Sequence, residues 1–340
     1  MTAEALGPVV TVTTWLPDDE RYIARPLSAS LARAGSDVTQ VSLPVIRRRE
    51  LNPRGIARLL RRMWLLRKRL AARSDETVLV STSALAPVLL AVPRRVRVVV
   101  HVHETWGPLT RLVLGPFLIR AAVVLAPSRA VVERLPAFVR GKAFVIPNGT
   151  PDPASDPSPV AHAGPVTFVV ASRWGAWKGH RLLLEAWGRL QRTDVKLIIL
   201  GGMPPTGSGV NVPAMVADLP NASTVEVVGE VNDIGPFIEA AHGVILPSSA
   251  PEPFGLVAIE GMARGRAVIA SAAGGCLEIV DEGSGWLLPV GDVNAWAVLL
   301  ETVTRADLTD KGNAGRLRYE EMYSADSFGR QIRRVVLGVD

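Results

Sequence analysis

The stretch PNGTPDPASDPSPVAHAGP, residues 147–165, decides how the chain is organised. Six of its nineteen residues are proline, and it has no hydrophobic periodicity, which is typical of a linker or a surface loop. It lies near the middle of a 340-residue chain, which is long enough for two domains. We therefore predict a first domain at residues 1–150, a linker at 151–164 and a second domain at 165–324.

Short β-rich segments alternate with helical segments on both sides of this stretch. Strands are predicted at residues 9–13, 37–43, 78–80, 96–102, 121–126, 143–146, 166–171, 195–200, 224–228, 243–246, 267–271 and 285–288. Helices are predicted at residues 27–34, 54–72, 131–135, 179–190, 255–264, 294–304 and 326–336. Several strands are continuous apolar runs, as expected of parallel strands that are covered on both faces. The pattern indicates an α/β fold with two facing Rossmann-like domains.

Composition excludes several classes of protein. The chain is 48% hydrophobic and 21% charged, an ordinary globular balance, and its one cysteine rules out a disulfide framework. The start of the sequence does not resemble a signal peptide, so we expect a cytoplasmic protein. The apolar run at 112–127 is too short to span a membrane, and we interpret it as a buried strand plus helix. Since there is no metal-ligand spacing and no Asp-x-Asp, we expect no metal and no cofactor.

Candidate binding residues follow the strands of the second half. In parallel sheets, ligands bind at the carboxyl ends of the strands. Arg173 and Lys178 follow the first of these strands, Gly201 and Gly202 follow the second, and PSSAPEPFGLVAIE at 247–260 follows the fourth. Together they predict a cationic, glycine-lined crevice that suits an anion.

The segment from Glu252 to Glu260 is the most specific feature of this crevice. The amides of Gly255, Leu256 and Val257 are expected to open a helix without intrahelical partners, which favours anion binding. Eight helical residues rise about 12 Å, so we expect the two carboxylates to flank a diphosphate-sized gap. That separation exceeds the roughly 5 Å of a retaining glycosidase. The alternative is a helix-terminal charge plus a surface glutamate.

Histidines follow a strand of the first half, in His101-Val102-His103. His103 is placed at the strand end and is therefore a candidate site residue, although a lone histidine is commonly structural. We predict that His101 points to the opposite face and is structural. His180 and His242 have no evident partners in the sequence.

Residues 46–73 form a basic segment, with eleven Arg or Lys residues and one acid, Glu50. Within it, 54–72 predicts a helix with an apolar side and a basic remainder. One hypothesis places this helix on an anionic membrane, as a peripheral contact at the inner membrane face. The other is an ordinary domain helix whose arginines are solvated. No nucleic-acid module is recognisable, so we expect no nucleic-acid partner.

These residues together resemble family-4 retaining glycosyltransferases, whose two-Rossmann architecture is called GT-B. Arg173 and Lys178-Gly179 resemble the family's phosphate-binding pair, and Glu252 and Glu260 resemble its Glu-x7-Glu motif. Further matches are His103, residues 145–149, 260–265 and Gly274-Gly275 with Glu278. The departure is at 15–20, where Trp15-Leu16-Pro17-Asp18-Asp19 stands in place of the family's glycine-rich turn.

The resemblance implies a function. It implies a metal-independent, hexosyltransferase-like enzyme that moves a sugar from a nucleotide-diphosphate sugar to a small-molecule or lipid-linked acceptor, with retention of configuration. The donor would bind the second domain in a cleft between the domains, and a C-terminal helix at about 325–340 would pack back on the acceptor-side first domain.

The resemblance also implies roles for single residues. Arg173 and Lys178 would neutralise the departing diphosphate. The Leu256 and Val257 amides would contact the diphosphate, Glu260 the ribose and the backbone near Val231 the base. The sugar would be contacted by Glu252, Phe254 and Gly255, with His103 over it, and Gly202 is a further donor-binding residue. A nucleotide-sugar epimerase or sugar phosphorylase of the same architecture is the alternative, as is a catalytically silent nucleotide-sugar-binding module. A phosphorylase would need a second anion site, and the sequence offers none.

Overall fold

The computed structural model contains two compact units. The first is Met1–Gly149 with Ala325–Asp340, and the second is Thr150–Ser324. The structure describes residues 9–14, 38–43, 53–72, 77–153, 164–204 and 207–337. The helix predicted at 27–34, the loop at 15–20 and most of the linker at 151–164 lie outside these residues.

The first unit is built on a parallel sheet of six strands in the order β2-β1-β3-β4-β5-β6. Its elements are β1 (Val9–Thr14), β2 (Val38–Leu43), α1 (Pro53–Ala72), β3 (Thr77–Val80), β4 (Arg97–His101), α2 (Pro108–Leu114), β5 (Val123–Ala126), α3 (Arg129–Val132), α4 (Ala137–Arg140) and β6 (Ala143–Val145). Two 3₁₀ helices, Ser83–Leu90 and Gly115–Arg120, complete the crossovers.

The second unit also has a parallel sheet of six strands, in the order β12-β11-β10-β7-β8-β9. Its elements are β7 (Val166–Ala171), α5 (His180–Trp187), β8 (Val195–Leu200), α6 (Val212–Ala217), β9 (Val225–Gly229), α7 (Gly235–Ala240), β10 (Gly243–Leu246), α8 (Leu256–Ala263), β11 (Ala267–Ser271), α9 (Cys276–Ile279), β12 (Gly285–Leu288), α10 (Val293–Thr302) and α11 (Arg305–Arg318). The strand order reverses between β7 and β10, which is the Rossmann switch point.

The last helix, α12 (Ala325–Ile332), belongs to the first unit. It packs Phe328 and Ile332 onto one face of the first sheet, in a cluster with Leu79 and Val99. The opposite face carries α1 and the two 3₁₀ helices, which share a core with Val78 and other even-numbered strand residues. The first sheet is therefore covered on both faces, which explains its continuous apolar strands.

The α/β fold with two Rossmann-like sheets is confirmed. Five strands of the second unit have the predicted bounds, namely β7, β8, β10, β11 and β12. The helix α11 was missed, because Gly312 and Gly315 interrupt its apolar pattern. Gly312 is required where it lies, since a Cβ there would come within 2.1 Å of the Gly265 carbonyl oxygen.

Candidate functional site

Two loops meet at the switch point of the second sheet. One follows β7 and ends at Gly179, and the other follows β10 and begins at Pro247. Gly179 has φ +76°, and a Cβ at this position would lie 1.7 Å from the Pro247 carbonyl oxygen. Only glycine permits this close approach, because an L side chain would strain the backbone and collide with a main-chain atom.

An ion pair joins these two loops. Lys178 Nζ lies 2.8 Å from Glu252 Oε1, with the side chains 23% and 8% exposed. The Ser248 hydroxyl donates to the same carboxylate oxygen at 2.5 Å. The ammonium also lies 4.1 Å from the ring centroid of Trp177. A cation is thus held at the carboxyl edge of the sheet, partly open to solvent and able to meet an anion there.

The main chain fixes Glu252 from its other side. Glu252 forms a parallel β-bridge with Gly274, and its carbonyl accepts a hydrogen bond from the Gly275 amide at 2.8 Å. A Cβ on Gly274 would lie 2.2 Å from the Glu252 carbonyl oxygen. The pair Gly274-Gly275 therefore holds the backbone of Glu252 in place.

Helix α8 begins beside this clamp at Leu256. Gly255, at φ +121°, precedes it and no side chain caps the helix. Glu260 is half-buried on the helix, and Phe254 is buried, with its ring 6.1 Å from that of Tyr323. The prediction that eight helical residues separate Glu252 from Glu260 was wrong. Only the part from Leu256 is helical, since Gly255 breaks the run, and four residues rise about 6 Å.

The loop after β8 packs against the loop after β7. Gly201 has φ +111° and approaches Ser172 so closely that a Cβ would lie 2.0 Å from its carbonyl oxygen. The buried Gly202 accepts the Trp174 amide hydrogen at 2.7 Å. Arg173 is exposed on this loop, and Val231 is half-buried beyond the end of β9. The described residues thus bring Arg173, Lys178, Gly202 and Glu252 to one edge of one sheet.

His103 belongs to the first unit and lies two residues beyond the end of β4. Its ring lies 3.8 Å from that of His101, so the prediction that His101 points to the opposite face was wrong. Residues i and i+2 of an extended chain share a face. Both rings have buried nitrogens without a hydrogen-bond partner among the described residues. Burial lowers the pKa of His103 to about 3 and also lowers the pKa of His101, so both are neutral at pH 7.

The other two buried histidines do have partners, contrary to the sequence reading. His180 Nε2 lies 3.1 Å from Ser172 Oγ, and burial lowers the pKa of this imidazole to about 4. His242 Nδ1 accepts the Thr167 amide hydrogen at 3.0 Å. The Thr167–His242 bond joins residues 75 apart in the sequence, so spacing alone could not reveal it, whereas Ser172 and His180 are eight residues apart. The bond of Ser248 to Glu252 was also missed, although the two residues are only four apart in the sequence.

Within the part of the chain that the structure describes, no three His, Cys, Asp or Glu side chains lie close enough to hold a metal ion together. In the same residues, no helix has the length and apolar character needed to cross a bilayer.

Family profiles match both units. The profile described as "Glycosyltransferase Family 4" matches residues 9–152, and that described as "Glycosyl transferases group 1" matches 165–305. The chain belongs to glycosyltransferase family 4. Curated family relatives include D-inositol 3-phosphate glycosyltransferases. That of Nocardioides sp. is 31% identical over 41% of this chain, and that of Saccharomonospora viridis is 34% identical over 42%. These matches span only 33% and 35% of the length of the two relatives.

Solved structures resemble the whole chain in fold. Anabaena HepE in complex with UDP-glucose has a TM-score of 0.76 and 20% identity, covering 98% of this chain and all of that one. Sucrose-phosphate synthase from Thermosynechococcus elongatus has a TM-score of 0.78 and 20% identity, and the match covers 97% of this chain and 98% of the synthase. These neighbours are GT-B glycosyltransferases with two Rossmann-like domains, and the present chain has that fold.

Proposed function

We propose that the protein is a retaining, metal-independent glycosyltransferase that moves a sugar from a nucleotide-diphosphate sugar to an acceptor hydroxyl. The observation that carries this proposal is the ion pair of Lys178 and Glu252 at the switch point of the second sheet. This is the position at which doubly wound sheets bind nucleotides. Family membership and the UDP complexes of a structural neighbour support the same reading.

The charges of the site suit the departing diphosphate. Lys178, with Arg173 on the same loop, would stabilise the negative charge that develops on the leaving group. The first amides of α8 begin beside Glu252 and would add hydrogen bonds to this anion. Lysine and arginine would thus supply the charge that a divalent metal supplies in other transferases, so we expect activity without added metal.

The remaining residues would orient the donor. Glu252, Phe254 and Gly255 would contact the sugar, the latter two through the backbone, since the Phe254 side chain is buried. Glu260 would accept hydrogen bonds from the ribose hydroxyls, Val231 would lie at the base, and Gly202 would be a further donor contact. His103, neutral at pH 7, would hydrogen-bond the sugar rather than contribute charge. Positioning and electrostatic stabilisation together would account for the rate.

The test measures turnover of UDP and GDP sugars, with an inositol phosphate and other polyols as acceptors. Lys178→Ala and Glu252→Gln should each lower kcat about a hundredfold, corresponding to roughly 3 kcal/mol. The matched controls are Lys196→Ala and Glu226→Gln. These residues form a surface pair of the same two residue types at 2.7 Å and lie outside the site.

Two further readouts address the mechanism. Activity should be unchanged after dialysis against EDTA, and the anomeric configuration of the product, read by NMR, should equal that of the donor. Loss of activity in EDTA that Mg²⁺ or Mn²⁺ restores would contradict metal independence. Full activity of both site variants would contradict the site itself.

A further inference from the structure

An apolar and basic surface covers the outer side of one helical layer of the first unit. We call it the apolar-basic face. Its large hydrophobic residues are between 48% and 74% exposed, and they are Leu60, Trp64, Leu65, Leu90, Leu109, Leu112, Val113 and Ile119. A soluble protein rarely leaves so large an apolar set uncovered without a binding partner.

The helix α1 has two apolar sides. Leu66 and Leu70 are buried and join the core beneath the helix. Leu60 and Trp64 face outward, and Lys68 holds its ammonium 3.9 Å from the centre of the Trp64 ring. The sequence reading treated core packing and membrane contact as alternatives for this helix. The structure permits both, because one apolar side packs inside and the other remains exposed.

The helix α2 extends the same face. It contains no buried residue, although it is largely apolar. Leu114 at its end and Phe117 in the following 3₁₀ helix pack partly on the core that also receives Leu66 of α1. The prediction that the run from residue 112 is buried was therefore wrong for Leu112 and Val113, which α2 turns outward. Because α1, α2 and the 3₁₀ helices cover one face of the sheet, their exposed residues lie on one side of the unit.

The charge of this layer has one sign. The sequence has no Asp or Glu in residues 53–72, 77–103 or 105–132. Exposed basic residues lie among the apolar ones on α1 and on the loop before β4, at Arg61, Arg67, Lys68, Arg94 and Arg95. The loop is tied to α1, since the Arg95 guanidinium donates a hydrogen bond to the Ala71 carbonyl. Among the described residues of this layer, the apolar side chains thus lie beside positively charged ones.

We propose that the apolar-basic face docks on the surface of an anionic lipid bilayer. Exposed leucines and a tryptophan would enter the boundary between headgroups and acyl chains, and the basic residues would contact the anionic headgroups. A second copy of this chain fits less well, because two identical positive faces would repel each other. This docking does not depend on the proposed diphosphate-binding residues Arg173, Lys178 and Glu252, which lie in the other unit.

The experiment is sedimentation of the full chain with vesicles of phosphatidylglycerol and phosphatidylcholine at 1:1, and with phosphatidylcholine alone. Binding is expected to the anionic vesicles in 0.1 M NaCl. It should weaken strongly in 1 M NaCl, where the screening length falls to about 3 Å. The charge variant Arg61→Gln/Arg67→Gln/Lys68→Gln should weaken the partition coefficient about a hundredfold. The apolar variant Leu109→Ser/Leu112→Ser/Val113→Ser should weaken it at least tenfold.

Matched controls come from the exposed surface of the second unit. Arg181→Gln/Arg189→Gln/Lys196→Gln removes the same charge, and Val290→Ser/Val298→Ser/Leu317→Ser removes similar apolar area. Both controls should bind vesicles as the unmodified protein does. The proposal is overturned if the protein does not bind anionic vesicles in 0.1 M NaCl, if it binds neutral vesicles equally, or if controls and face variants lose binding alike. It is also overturned if the face variants instead abolish a dimer in analytical ultracentrifugation.

Discussion

The substitution Lys178→Met, which removes a partly buried ammonium group, should destabilise the second unit far more than Lys196→Met, which removes one from a surface ion pair. The ion pairs Lys178–Glu252 and Lys196–Glu226 have almost equal lengths, 2.8 and 2.7 Å. Their burial differs, because the two carboxylates are 8% and 50% exposed. Burial therefore decides the difference, since a carboxylate that loses its partner in the interior cannot be fully rehydrated.

The expected magnitudes follow from this contrast. Loss of one partner of a buried pair costs about 3–5 kcal/mol, but Lys178 is 23% exposed, so solvent screening reduces the expected loss to about 2 kcal/mol. For a unit of this size that corresponds to a decrease in Tm of roughly 4–8 °C. Lys196→Met should cost below about 0.5 kcal/mol, or roughly 1 °C.

The assay is thermal unfolding at pH 7, followed by circular dichroism, for both single variants and for Lys178→Met/Glu252→Gln. The double variant should recover part of the loss, because the neutral amide needs no counter-charge. Equal decreases in Tm for Lys178→Met and Lys196→Met would refute the argument that burial makes the first pair costly to break.

Two further predictions concern the backbone of the site and its acid sensitivity. Gly179→Ala should abolish donor binding in calorimetry, because the new Cβ would lie 1.7 Å from the Pro247 carbonyl oxygen and φ +76° strains an alanine, so the two loops must move apart. Gly141→Ala, where a Cβ meets no atom within 4 Å, should leave donor binding unchanged. Burial lowers the pKa of His180 from 6.5 to about 4, so the unfolded chain takes up the proton first as pH falls. His180 alone should contribute a loss of about 3 kcal/mol of stability between pH 6.5 and 4 in urea titrations, and His180→Gln should remove most of that contribution; an identical pH profile would contradict it.

Local pattern identified the strands of the second unit and their order along the chain. The strands β7 (VTFVVA) and β8 (VKLIIL) are apolar except for one polar residue each, Thr167 and Lys196, a pattern expected of strands covered on both faces. Helices of weak periodicity were harder. Helix α11 has few apolar residues, but its start carries the capping pair Thr304 and Asp307, a signal that was present in the sequence and was overlooked.

The sequence by itself determined which residues could carry charge at the edge of a parallel sheet, because strand ends and glycine turns are local properties. Only the tertiary structure decided which of them meet. The bond of Lys178 to Glu252 spans 74 residues, and it forms because β7 and β10 are neighbours in the sheet. The same holds for the apolar residues of α1, which the sequence left open between core and membrane, and for Leu112 and Val113 of α2, which were predicted to be buried. Which of them are exposed depends on how much of each helix the sheet can cover, and that is a property of packing rather than of periodicity.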